Sequence, residues 1–134
     1  MSKIFICDDV QAESKLLTAL VRQWAQAQDT AVYISTFESS ESLLFAYEDD
    51  KSVEILLLDI QMKNMNGVEL ARRIHEDNKA VQIIFITGFP DFISEGYDVS
   101  ALHYLIKPVK KGKLFEVLDR AAERLGKSEQ AVKK

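Results

Sequence analysis

Three carboxylates, a hydroxyl and an ammonium stand at the ends of short apolar runs in this sequence. Asp8 and Asp9 follow the run Ile4–Cys7, and Asp59 follows Glu54–Leu58. Thr87 follows Gln82–Ile86 with Gly88 behind it, and Lys107 follows His103–Ile106 with Pro108 behind it. If these ends meet, the carboxylates repel: at about 4 Å and an effective dielectric near ~20, each like-charged pair costs on the order of 4 kcal/mol. A hard divalent cation with oxygen ligands relieves that repulsion, and Mg²⁺ favours one or two carboxylates plus waters and phosphate oxygens. A carboxylate beside such a cation can act as a nucleophile toward phosphorus, which makes Asp59 the candidate acceptor. The charge gained then needs donors, and the Thr87 hydroxyl, the Lys107 ammonium and the accessible N–H of Gly88 can supply them.

These residues can meet only if the apolar runs are neighbouring strands. The runs Ile4–Cys7, Val32–Ile34, Glu54–Leu58, Gln82–Ile86 and His103–Ile106 are short, rich in Ile, Val, Leu or aromatics, and bounded by polar residues. Such continuous runs suit strands buried on both faces of a parallel sheet. Helical patterns lie between them. Leu16, Leu17, Leu20, Val21, Trp24 and Ala27 mark a first helix. Ser39 to Tyr47 reads as a second, with Ser39 or Ser40 as N-cap, and Val68, Leu70, Ala71 and Ile74 mark a third after Gly67. A weak pattern at Phe92 to Asp98 gives a fourth. Leu114, Val117, Leu118, Ala121 and Leu125 give a strong fifth, with Gly126 expected as its C-cap. Alternation of this kind implies right-handed βαβ units and an open parallel sheet, where ligands bind beyond the carboxyl ends of the strands.

Each chemical residue also has a plainer role. Asp9 alone would serve as an N-cap, a lone Asp after Leu-Leu-Leu as a turn residue, and a lone Lys-Pro as punctuation. All of them at the correct strand ends together is the coincidence that favours a site. Composition agrees with a folded domain: 134 residues, 47% hydrophobic and 28% charged, enough chain to bury about two thirds of its unfolded surface. The net charge of -4 argues against this segment gripping nucleic acid itself. Cys7 is the single cysteine, so no internal disulfide forms and a reducing compartment fits. No signal peptide is legible, and no apolar run approaches the roughly 20 residues that span a bilayer. The expected location is cytoplasmic, with no membrane partner.

The blocks Ile4-Phe-Ile-Cys-Asp-Asp9, Leu56-Leu-Leu-Asp-Ile-Gln-Met-Lys-Asn-Met-Asn-Gly67, Ile84-Phe-Ile-Thr-Gly88 and Tyr104-Leu-Ile-Lys-Pro108 resemble the signatures of response-regulator receiver domains of two-component systems. The resemblance covers residues 2 to 126, leaving 127–134 as a tail or the start of a linker. It implies a flavodoxin-like (βα)5 doubly wound sheet in strand order 2-1-3-4-5, the order that flavodoxin shares with this family's chemotaxis regulator. It implies that Asp59 is the phosphoacceptor, that Asp8, Asp9, Asp59 and the backbone carbonyl of Gln61 hold Mg²⁺ or Mn²⁺, and that Thr87, Gly88 and Lys107 contact the phosphoryl oxygens. It further implies a cis Lys107–Pro108 bond, a switch made of Thr87 and Tyr104, and tuning of the phosphoryl lifetime by Gln61 and Phe89. There are two departures: Lys63 and Asn64 occupy positions where Pro is common, and Gly88 replaces Ala or Ser.

The implied donor is a sensor histidine kinase, and the implied catalysis is limited to the domain's own phosphorylation and dephosphorylation. The Phe89-Pro-Asp-Phe92 segment and the Tyr-Leu-Ile-Lys-Pro-Val block resemble receivers joined to LytTR-type DNA-binding domains, so DNA would be reached through a domain outside this segment. A stand-alone receiver and an unphosphorylated pseudo-receiver are the alternatives, though a pseudo-receiver would have lost an acid or the Lys. A haloacid-dehalogenase-like phosphatase would carry a second Asp where Gln61 stands. A homodimer is expected through the fourth helix, fifth strand and fifth helix. The last carries Glu116, Asp119 and Glu123 beside Lys113, Arg120, Arg124 and Lys127. Cys7 is expected to be a buried inert thiol, Trp24 a core residue, His75 and His103 surface residues, and Lys110, Lys111 and Lys113 a solvated helix start.

Overall fold

The computed structural model describes residues 2–88 and 103–132, with side chains described for 2–88 and 104–126. Chain order is β1 (Ser2–Cys7), α1 (Gln11–Ala27), β2 (Val32–Phe37), α2 (Ser40–Asp49), β3 (Ile55–Asp59), α3 (Gly67–Asp77), β4 (Gln82–Thr87), β5 (His103–Ile106) and α4 (Lys111–Val132). The five strands form one parallel sheet in the order β2-β1-β3-β4-β5. This is the doubly wound order expected from the sequence. The weak helical pattern at Phe92 to Asp98, and Phe89 with it, lie outside the described residues; α4 is therefore the helix that the sequence places fifth.

Alternating strand residues feed two cores. Ile4, Ile6, Ile55, Leu57, Ile84 and Ile86 point to one face, where they meet α1 and α4. Phe5, Cys7, Leu56, Leu58, Ile83 and Phe85 point to the other, where they meet α2 and α3. β1, β3 and β4 are thus buried on both sides, as continuous apolar runs require. β2 is not: it is an edge strand, none of its residues is fully buried, and Tyr33 is 53% exposed. β5 closes the opposite edge and leaves Ile106 42% exposed.

Two helices differ from their sequence pattern. In α1 the inward face is Ser14, Leu17, Leu20, Val21, Trp24 and Ala25, while Leu16 and Ala27 face solvent. Leu16 and Leu17 sit about 100° apart on a helix, and only Leu17 shares the stripe with Leu20, Val21 and Trp24. In α4, Gly126 is not a C-cap. No glycine among the described residues has positive φ, and the helix continues to Val132. An interior Gly costs about 1 kcal/mol relative to Ala, and the flanking helix formers carry the helix through it. Ser39 is the N-cap of α2, its side chain accepting from the Ser42 N–H, and Asn66 caps α3 in the same way through the Glu69 N–H.

Candidate active site

The carboxyl ends of β1, β3, β4 and β5 lie side by side, so the residues that follow them face one another. Asp8 is buried and pinned on both oxygens. Its Oδ1 accepts the Val10 N–H at 2.9 Å and its Oδ2 accepts from Lys107 Nζ at 2.9 Å. Its own N–H donates to the Phe37 carbonyl at 3.1 Å, tying the residue to the end of β2. Asp9 is exposed and does not cap α1, whose N-cap is Val10 without any side-chain cap bond. The capping role open to Asp9 from sequence is therefore not the one it has.

Asp59 closes β3 opposite Ile86 and is 6% exposed. Its Oδ1 accepts the Gln61 N–H at 3.3 Å, and its Oδ2 lies 3.5 Å from Lys107 Nζ. Carboxylate oxygens of Asp8, Asp9 and Asp59 come within 4.8 Å of one another. Burial first, and the Asp8 charge second, push the Asp59 carboxyl up to about 6, against the pull of Lys107 and the Gln61 N–H. Lys107 is held above the usual ammonium value: burial opposes its charge, but the Asp8 hydrogen bond and the charges of Asp59 and Asp8 outweigh it. One ammonium thus serves two carboxylates and leaves one of them short of positive charge. That imbalance is what a cation site lined with hard oxygen donors requires.

Thr87 is fully buried at the end of β4, and its carbonyl accepts the Lys107 N–H at 2.8 Å. The peptide bond from Lys107 to Pro108 is cis. Gly88 is exposed, and a Cβ built on it would meet nothing within 4 Å. Tyr104 pairs with Phe85 across the β4–β5 ladder, and their rings stack with centroids 5.7 Å apart. The pair Thr87 and Ile106 lies two residues further along the same ladder, and so on the same sheet face. Cys7 is a buried thiol pushed up to about 12, chiefly by burial and then by Asp8. Its thiolate form is disfavoured there, and its sulfur touches that of Met62 at 3.4 Å.

Comparison with known proteins decides the family. The model of the response regulator receiver domain matches residues 4–119. The chain belongs to that family. Among the receiver's curated relatives are the positive alginate biosynthesis regulatory protein of Pseudomonas aeruginosa (32% identical over 119 residues, 89% of this chain and 46% of that protein) and the transcriptional regulatory protein NatR of Bacillus subtilis (30% over 120 residues, 90% and 49%). The sensory transduction protein LytT of Enterococcus faecalis is 26% identical over 125 residues, 93% of this chain and 50% of that protein. The receiver therefore spans about half the length of these relatives. Its fold is that of the response regulatory domain of mrkE from Klebsiella pneumoniae, with a TM-score of 0.83 at 22% identity over 93% of this chain and 98% of that one. A receiver domain protein from Clostridium thermocellum superposes with a TM-score of 0.81 at 20% identity, over 98% and 99%.

Three features of the receiver were not legible in its sequence. A Cβ on Gly67 would sit 2.1 Å from the Asp59 carbonyl oxygen, so α3 begins in direct contact with the backbone of the acceptor residue. The Ser40 hydroxyl donates to the Met65 carbonyl at 2.8 Å. Asp119, which the sequence offers as one of several surface charges on the last helix, accepts instead from Trp24 Nε1 at 2.8 Å and from Gln28. The last two join residues remote in sequence, and no local pattern announces any of the three. The Glu116–Arg120 pair does form within α4, at 3.2 Å. Lys110, Lys111 and Lys113 are exposed, and His75 is half-buried. No helix among the described residues is long and apolar enough to cross a membrane.

Proposed function

We propose that this receiver takes a phosphoryl group from the phosphohistidine of a sensor kinase onto Asp59, with Mg²⁺ or Mn²⁺ held by Asp8, Asp9, Asp59 and the backbone carbonyl of Gln61. The observation that carries this reading is the convergence of three carboxylates, two of them sharing a single ammonium, with a buried acceptor whose ionised form lacks compensation. A bound dication offsets the carboxylate repulsion and polarises the phosphoryl oxygens. The chain's own residues do the rest. An Asp59 oxygen forms the new P–O bond as the P–N bond to the donor imidazole breaks, its electron pair staying on nitrogen. The product is an acyl phosphate, and attack by water at phosphorus later returns Asp59 and free phosphate.

Lys107 already lies 3.5 Å from Asp59 Oδ2, so its ammonium can follow the charge onto a phosphoryl oxygen. The Thr87 hydroxyl and the Gly88 N–H complete the donor set. In this reading Thr87 turns toward the phosphoryl group, and Tyr104, stacked beside it on Phe85, moves into the space released. The reshaped surface is that of β5 and α4, with the fourth predicted helix, and it pairs two copies about a two-fold axis. The output is transcription through a LytTR-type DNA-binding domain beyond residue 134, in the cytoplasm. This last step is supported by relatives of about twice the length, two of them named as regulatory proteins and one as a sensory transduction protein.

The test is an intact-mass measurement after incubation with acetyl phosphate. One phosphoryl adduct is expected on the wild type with Mg²⁺, and none on Asp59→Asn or in chelator. An adduct on Asp59→Asn, or labelling that ignores chelator, would refute the assignment.

A further inference from the structure

The segment between Asp59 and Gly67 carries Gln61, yet its own sequence does little to hold it. It contains no proline, and Asn64 adopts a left-handed conformation with φ 64. At its ends the backbone is tied down: the Gln61 N–H donates to Asp59 Oδ1, and the Gly67 N–H donates to the Ile60 carbonyl at 2.9 Å. Between those ends, among the described residues, one side chain from elsewhere hydrogen-bonds the segment's backbone. It is Ser40, fully buried in the first turn of α2, whose hydroxyl donates to the Met65 carbonyl at 2.8 Å. The contact of Cys7 with Met62 also reaches the segment, but it joins two sulfurs and is weak.

Ser40 is itself firmly placed. Ser39 caps α2, and the strand leading into it is tied to the site, since the Phe37 carbonyl accepts the Asp8 N–H. The same short stretch of chain, Phe37 to Ser40, thus holds the backbone of Asp8 on one side and that of the Gln61 segment on the other.

We infer that Ser40 is a positioning residue for the cation site: its hydroxyl fixes the β3–α3 segment so that the Gln61 carbonyl is presented beside Asp8 and Asp59. This rests on the function proposed above. Residues that orient ligands without touching the ion typically alter metal affinity by about 10- to 100-fold when removed. A purely structural hydroxyl would change stability and leave affinity alone.

The test is a titration of the full chain with Mn²⁺, reading free Mn²⁺ by electron paramagnetic resonance, together with acetyl phosphate labelling across Mg²⁺ concentrations. Ser40→Ala is expected to weaken Mn²⁺ binding about tenfold. It should slow labelling at low Mg²⁺ and approach the wild-type rate at saturating Mg²⁺. Ser40→Cys keeps the volume but offers a weak donor, and should shift affinity in the same direction by about threefold. Tyr47→Phe removes a hydrogen bond to Asp77 from the other end of α2 and should leave the affinity within about twofold of wild type, which controls for loss of helix stability. Wild-type Mn²⁺ affinity in folded Ser40→Ala or Ser40→Cys, or an equal loss in Tyr47→Phe, would overturn the inference while leaving the phosphoacceptor role intact. A wild-type chain that binds no Mn²⁺ and takes no phosphoryl group would remove the proposed function and this inference together.

Discussion

Replacing Asp59 with Asn should make the cation-free receiver more stable at neutral pH, although it removes the residue on which the proposed activity depends. The Asp59 carboxyl is pushed from 3.8 to about 6, with burial the main cause and the Asp8 charge the second. The folded state therefore binds more protons than the unfolded chain between those values. A raised carboxyl of this kind weakens the fold as pH rises: the penalty is absent below about 4, grows through the window, and is complete above about 6 to 7. Two pKa units at 1.36 kcal/mol each give about 3 kcal/mol. Asn occupies the same volume without the charge, and Lys107 keeps its closer partner, Asp8, at 2.9 Å. With a denaturant slope of about 2 kcal/mol/M, that gain moves the urea midpoint up by roughly 1.5 M.

The assay is urea unfolding of both chains in chelator from pH 4 to 8, followed by the difference between them at each pH. Other carboxylates cancel in that difference, notably Asp50 and Asp77. Both are held low, by Lys3 and by Tyr47 with Lys51 respectively. Their contributions run the opposite way, being lost as pH falls. The expected difference is near zero at pH 4 and reaches its full value by pH 7.5. Saturating Mg²⁺ should narrow it by stabilising the wild type more than the variant. A difference that stays flat with pH, or an Asp59→Asn chain no more stable than wild type at pH 7.5, would show that Asp59 carries no uncompensated charge. The electrostatic case for a cation at this site would then fall.

Gly67→Ala should cost at least about 3 kcal/mol in the same urea assay, because its Cβ would lie 2.1 Å from the Asp59 carbonyl oxygen and both atoms belong to rigid backbone. A variant within about 1 kcal/mol of wild type would show that the start of α3 can move away. For dimerisation, sedimentation velocity with a beryllofluoride mimic of the phosphoryl group should convert the wild type from monomer toward dimer and leave Thr87→Ala unchanged. Persistence of a wild-type monomer at high concentration would exclude self-association as the output. Exposed ion pairs on α4 contribute only about 0–1 kcal/mol each, so apolar residues such as Ile106 must supply most of any dimer contact.

The elements that carry the site were legible because burial on both faces of a parallel sheet leaves a plain signature. Ile4–Cys7, Glu54–Leu58 and Gln82–Ile86 read as strands without any alternation, and the polar residue that follows each run marks the carboxyl edge of the sheet. That one signature yields the strands, their approximate ends and the candidate site residues together. Where a strand lies at an edge the signature degrades. Val32–Ile34 reads as a short buried run, yet β2 extends to Phe37 with none of its residues fully buried, since only one neighbour constrains it. The end of α4 was misread for a related reason. A glycine stops a helix only when a left-handed turn follows it, and Gly126 remains right-handed because nothing in the next residues favours leaving the helix.

What could not be read from local pattern is the set of contacts that hold the site residues in place. Ser40 is indistinguishable in sequence from Ser39 and Ser42; only the fold separates the cap, the exposed hydroxyl and the one buried against Met65. Asp119 looks like any acid on a solvated helix face until Trp24 arrives from α1 with an indole N–H to satisfy. The distinction is physical. A reactive group must sit at a strand end, where the chain direction reverses and the residue type is exposed to inspection. A supporting group needs only to lie within about 3 Å of its partner, and any surface of any element can provide that. The chemistry of this receiver is therefore concentrated in four short blocks, whereas its precision is spread over residues that the blocks do not contain.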